Sequence, residues 1–173
     1  QSDRPEGATG VELVPLNRTI GDDELRYDTL QVAIDRATGT ATFTVNAPTA
    51  TQPTTGEELL AAGCESWLLK AARELDDAIL HLRFNETEIG TWVFATKGSA
   101  EAVVAAEAVL GTEPDHWLVR EVRLFWTRTL KRVDLSARTL VAVAEPGSCF
   151  VGVLNELLLA ADRSFIMTGT WEE

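Results

Sequence analysis

Residues 145–165 read EPGSCFVGVLNELLLAADRSF, and they decide the fold class. Leu140–Ala144, just before them, is an apolar run of strand length that Pro146-Gly147 must end, because proline cannot donate to a ladder and the pair favours a turn. A Ser148-Cys149-Phe150 loop follows, then a helix over Leu154–Ala161 with one acid, Glu156, among leucines, then a strand over Ser164–Met167. Strand, turn, helix and strand in that order make an α/β unit with a helix laid on a sheet. The same turn presents a helix N-terminus, whose unsatisfied N–H groups can build a site or simply pack.

The chain upstream repeats the pattern. Thr91–Ala95 is a short apolar run between Gly90 and Lys97-Gly98 and reads as a buried strand. Helices are expected over about Ala100–Leu110 and over Pro114–Val133, the second with Leu118, Val122, Phe125/Trp126, Leu130 and Val133 on one face. Earlier, Leu60, Cys64, Trp67/Leu68, Ala71, Leu75, Ala78/Ile79 and Leu82 recur at three and four positions, predicting one long helix capped by Thr55 or Gly56. In TLQVAIDRATGTATFTVNAP, residues 29–48, Leu30, Val32 and Ile34 alternate with polar residues, Ala37-Thr38-Gly39 turns the chain, and Phe43 and Val45 resume the alternation: a β-hairpin. Residues 47–56 form a Pro/Thr-rich loop, and residues 1–27, without periodicity, read as a linker or irregular lead-in.

At 173 residues the chain is long enough for one domain with a real core. No apolar run approaches the roughly 18 residues of a bilayer span, so no membrane segment is expected. A net charge of −12 repels phosphate backbones and argues against nucleic acid as a partner. Cys64 and Cys149, the two cysteines, stand far apart without a Cys-x-x-Cys pair, so neither a zinc site nor a disulfide framework is indicated and a reduced, cytoplasmic setting is expected. His81 and His116 lack a second metal-type ligand at ligand spacing and read as structural or exposed, and no G-x-S-x-G elbow supports a serine triad. Cys149 reads as a small buried hydrophobe, and Trp67, Trp92, Trp117 and Trp126 as core. Arg128, Lys131, Arg132 and Arg138 form a dense basic cluster on an acidic chain, read either as a phosphate-facing patch or as a solvated helix face paired with acids.

The strand-loop-helix from Leu140 to Leu159 resembles the crotonase (enoyl-CoA hydratase/isomerase) superfamily, in which a strand ends in glycine, a Gly-rich turn follows and a helix opens with Glu-Leu. The counterparts here are Gly147, Gly152, Glu156-Leu157 and then Ala160-Ala161-Asp162-Arg163. KAARELDDAILHLRFNETEIGTWVFATKG, residues 70–98, together with HWLVREVRLFWTRTLKRVDLSARTLVAVAEPGSCF, resembles one family within that group, the benzoyl-CoA-dihydrodiol lyases. That resemblance implies an α/β, crotonase-like ββα spiral with its sheet covered by helices. Residues 28–173 would be the front part of a second crotonase-like unit, with the sheet incomplete over this stretch.

The resemblance further implies a CoA thioester as substrate, no metal or redox cofactor, and a remaining crotonase-like unit as partner, and it leaves room for a homo-oligomer. It implies Glu156 as an acid/base group whose partner acid falls beyond Glu173, Gly152 and the backbone N–H of Val153 as the oxyanion contact, and Arg128, Lys131 and Arg132 as contacts to coenzyme A. Two departures stand beside these matches. Lys97-Gly98-Ser99-Ala100-Glu101 occupies the place of an Ala-Gly-x-Asp turn, and Gly152-Val153-Leu154 that of three glycines. Two functions therefore remain open: a ring-cleaving CoA-thioester lyase, or a non-catalytic scaffold or interface domain of that enzyme.

Overall fold

The computed structural model describes residues 10–169. Its strands are β1 (Thr19–Ile20), β2 (Glu24–Arg26), β3 (Leu30–Asp35), β4 (Thr40–Asn46), β5 (Thr91–Lys97), β6 (Thr139–Ala144) and β7 (Arg163–Ile166). They form a single sheet whose spatial order is the order of the chain. β1 to β4 run antiparallel, and β4 to β7 are parallel. Helices fill the crossovers: α1 (Gly56–Ala62) and α2 (Trp67–Asn85) between β4 and β5, α3 (Ala100–Thr112) and α4 (Trp117–Asp134) between β5 and β6, and α5 (Asn155–Leu159) between β6 and β7.

The hairpin forms as the alternation requires. Leu30 pairs with Val45 and Val32 with Phe43, Gly39 takes φ 64° in the turn, and burial alternates strictly along β3. Parallel pairing then sets Phe43 beside Phe94 and Ala41 beside Trp92, and Leu140 beside Trp92 on the other side. The Phe43 ring lies 5.3 Å from Trp92 and 5.2 Å from Phe94, and all three side chains are buried. Each such burial is worth about 1.5–3 kcal/mol, and tilted ring pairs add to it. Against this face α2 lays Leu68, Ala72, Leu75, Ile79 and Leu82, and α4 adds Val119, Val122 and Trp126. Trp126 Nε1 donates to the Leu68 carbonyl at 2.9 Å, and Trp67 Nε1 to that of Asn46 at 2.8 Å, so both indoles keep a partner inside the core.

The structure departs from the sequence reading in five places. The long helix is two, because Gly63 takes φ 52° after α1 and Ser66 is extended before α2; Thr55 does cap α1, accepting from the Glu58 N–H at 3.2 Å. Within the stretch expected to be an irregular lead-in, residues 19–26 supply β1 and β2, with Leu25 buried; strands of two and three residues are too short for alternation to register. The strands read as buried apolar runs are covered on one face only. In β5, Trp92, Phe94 and Thr96 are buried while their neighbours are half-exposed, and β7, paired to β6 along one side, exposes all four residues. Trp117, read as core, is 38% exposed at the start of α4, stacked beside His116. The expected start of α4 at Pro114 moves to Trp117.

A buried carboxylate joins the hairpin to the helical layer. Glu74 of α2, 1% exposed, accepts from the N–H and the Oγ1 hydroxyl of Thr29, both on Oε2, at 2.8 and 2.6 Å. Alongside it, Asp77 accepts from Arg18 and from the Tyr27 hydroxyl.

Candidate functional site

In a sheet of parallel strands, the strand ends and the turns that follow them are where ligands collect. Here those ends are Lys97-Gly98 after β5 and Glu145-Pro146-Gly147 after β6, and they are sewn together. The Gly98 N–H donates to the Gly147 carbonyl at 3.0 Å, and the Cys149 N–H to Thr96 Oγ1 at 2.8 Å. Gly98 sits at φ 122°, where an added Cβ would come within 2.7 Å of the Ala47 methyl, so the turn requires glycine. Cys149 is 1% exposed, and burial pushes its thiol above the ordinary cysteine value despite the hydrogen bond from Thr96. It packs as the sequence reading expected.

Beyond Cys149 the chain extends through Val151 and turns sharply at Gly152, φ 51°, into a 3-10 turn that runs on into α5. The N–H of Val153, the expected oxyanion donor, is already engaged: it donates to Glu107 Oε2 of α3 at 2.8 Å. The carboxylate lies so close over Gly152 that a Cβ there would sit within 2.1 Å of three of its atoms. The left-handed φ favours glycine at this position, and any side chain there would have to push the Glu107 carboxylate aside.

Glu156 projects from the first turn of α5 into solvent, lining a groove of about 480 Å³ between α4 and α5. Val153, Trp126, Leu130, Arg123 and Lys131 share that lining. Among the described residues Glu156 has no ion-pair partner within 4.0 Å. The structure thus brings Lys131 into the same groove as Glu156 and Val153, but disperses the rest of the basic cluster. Arg128 lies over the Phe125 ring, 4.9 Å from its centroid, beside a second groove lined by Trp117 and Arg73. Arg132 is paired with Asp76 of α2. Arg138 keeps its Nε buried without a hydrogen-bond partner.

Glu107 is the residue that the sequence reading passed over. A signal was present: Val103, Ala106, Glu107 and Leu110 follow the i, i+3, i+4, i+7 spacing of an apolar stripe, and Glu107 is its one charge. Among the described residues no group of three or more His, Cys, Asp or Glu stands together as metal ligands would, and no helix is long and apolar enough to cross a membrane.

A sheet in chain order, parallel from β4 onward, with a Gly-turned strand-to-helix corner at its strand ends, is the architecture of a crotonase-fold domain. An enoyl-CoA hydratase from Geobacillus kaustophilus HTA426 shares it at a TM-score of 0.53, with 18% identity, over 83% of this chain and 47% of that one. No family model matches the chain. Benzoyl-CoA-dihydrodiol lyase of Aromatoleum evansii is 46% identical over 166 residues, which is 96% of this chain and 30% of the lyase. The resemblance read from the residues therefore holds, and the chain spans less than a third of the curated relative that it matches.

Proposed function

We propose that this domain is part of a cytoplasmic CoA-thioester lyase that opens the epoxide of 2,3-epoxybenzoyl-CoA with one water and cleaves the ring with a second, releasing 3,4-dehydroadipyl-CoA semialdehyde and formate. Within that protein the domain serves as scaffold or interface for the remaining crotonase-like unit. The first half of the reading is supported by the 46% identity to benzoyl-CoA-dihydrodiol lyase. Hydration and carbon–carbon cleavage are together redox-neutral, so the reaction asks for acid/base carboxylates and donors to the thioester oxygen rather than for a redox cofactor.

One observation carries the second half. An oxyanion hole works when preorganised N–H groups face the oxygen that gains charge, with nothing already bound to them. In this domain the Val153 N–H is held by Glu107, and the Gly98 N–H, at the end of the neighbouring strand, by the Gly147 carbonyl. What favours a direct role is the groove that Glu156 shares with Lys131, a cation within reach of an anionic substrate.

Glu156→Gln in the full-length lyase, assayed by formate release from 2,3-epoxybenzoyl-CoA, separates the two. The scaffold reading expects turnover within about twofold of wild type, whereas loss of a general acid or base removes about 10²–10⁴-fold. A loss of that size in a folded variant would place the chemistry here.

A further inference from the structure

Helix α4 carries more apolar surface than the core takes up. Leu118, Val122, Trp126 and Val133 make its buried stripe. Beside that stripe, Trp117, Glu121, Leu124 and Arg128 follow the i, i+4, i+7, i+11 spacing of a second face. Core packing does not account for it, since Trp117 and Leu124 are 38% and 48% exposed. Trp117 and Phe125 line the second groove, of about 430 Å³, from α4, and Leu13, 62% exposed, lines it from the segment before β1. Arg128, over the Phe125 ring, lines it too. Contiguous apolar side chains with tryptophan and arginine among them are the composition of the centre of a protein–protein interface.

The segment that carries Leu13 has neither helix nor strand, yet it is fastened down. Cys64 Sγ donates to the Glu12 carbonyl at 2.8 Å, Arg73 of α2 donates to that of Val14 at 2.6 Å, and Arg18 pairs with Asp77. The groove is therefore a fixed feature of the fold.

We infer that this surface, from Leu13 across Trp117 to Phe125, seats the remaining crotonase-like unit of the same polypeptide. The inference rests on the reading of the domain as scaffold or interface, and adds the face on which that contact is made. Two observations select this occupant. The chain spans 30% of a relative to which it is 46% identical, so on that reading most of the polypeptide lies outside it. The described chain enters through Gly10, which itself lines the groove, so a unit that precedes it is tethered at the groove's rim, where a high effective concentration favours contact. The opposing surface would supply an apolar side chain against Trp117 and a carboxylate to Arg128.

The test is hydroxyl-radical footprinting of the full-length protein, read by peptide mass spectrometry at Trp117 and Phe125, with Phe84, 71% exposed at the end of α2, as internal reference. Leu13→Glu and Leu124→Glu place a charge on the surface at exposed positions, leaving the core alone, and a native circular dichroism spectrum checks each. In wild type, Trp117 is expected to be labelled more slowly than Phe84 despite its more reactive ring. Each variant should raise Trp117 labelling at least about threefold, because an unpaired charge buried in the contact opens it. Labelling of Trp117 as fast in wild type as in both variants would overturn the inference, while the scaffold reading would still stand on unchanged formate release by Glu156→Gln. Protection that persists in both variants would overturn it as well, since the covering would then not run through this surface. Protection that fades on dilution, with the mass halving in analytical ultracentrifugation, would overturn it in favour of a second copy of the protein.

Discussion

Replacing Gly152 with alanine asks two separable things of the structure, and a double-mutant cycle with Glu107→Ala measures each. Gly152 sits at φ 51°, a conformation that costs an L-residue about 1–2 kcal/mol. Its new methyl would also meet the Glu107 carboxylate within 2.1 Å, which forces that side chain off the Val153 N–H. A hydrogen bond to a charged group is worth about 1.5–3 kcal/mol, so Gly152→Ala should destabilise by about 2.5–5 kcal/mol. Glu107→Ala alone loses only the hydrogen bond, about 1.5–3 kcal/mol. In the double variant the clash has gone and the bond was already lost, which leaves the total near that of Gly152→Ala by itself. Urea unfolding of the four proteins, followed by tryptophan fluorescence, gives the coupling directly. Additivity of the two single effects to within about 0.5 kcal/mol would show that Glu107 is not seated on Gly152, and the account of a filled oxyanion position would go with it.

Two further outcomes follow from buried groups. Burial pushes the Glu74 carboxyl above the ordinary glutamate range, although the two Thr29 bonds pull it down. A raised folded-state value means that the stabilising contribution is complete below the unfolded value, about 4.3, and is lost as pH rises through the folded one. Glu74→Gln, whose single carbonyl oxygen can accept both Thr29 donors, should be at least as stable as wild type at neutral pH and lose that advantage toward about pH 4; a deficit above about 1 kcal/mol at neutral pH sinks the argument. Cys149, enclosed and with its thiol pushed up, should react with iodoacetamide only as fast as the domain opens, so that peptide mapping shows its labelling slowed by any stabilising co-solvent; prompt modification in native buffer would contradict its burial.

The framework of the fold was readable because it rests on local periodicity. Leu30, Val32 and Ile34 could alternate only as a strand with one covered face, and Leu75, Ile79 and Leu82 could recur only on a helix. What escaped depends on contacts between distant residues. β1 and β2 exist because β3 offers an edge to pair with, and the break at Gly63 comes from a backbone torsion that one glycine permits and does not announce. The basic cluster looked like one patch in the sequence. Successive helical positions are about 100° apart, so Lys131 turns to the α5 groove while Arg132 reaches Asp76. The Val153 N–H stood out in the sequence as a candidate donor, yet the carboxylate that accepts from it stands 46 residues upstream on another helix.

The sheet's spatial order, identical to its order along the chain, has a consequence for how the protein is made. Every strand after the first finds its partner already synthesised and adjacent, so the sheet can lengthen one strand at a time as the polypeptide leaves the ribosome, and no strand waits for a partner encoded later. Growth of this kind always leaves one live edge. Among the described residues that edge is β7, where Phe165 and Ile166 stand 56% and 65% exposed.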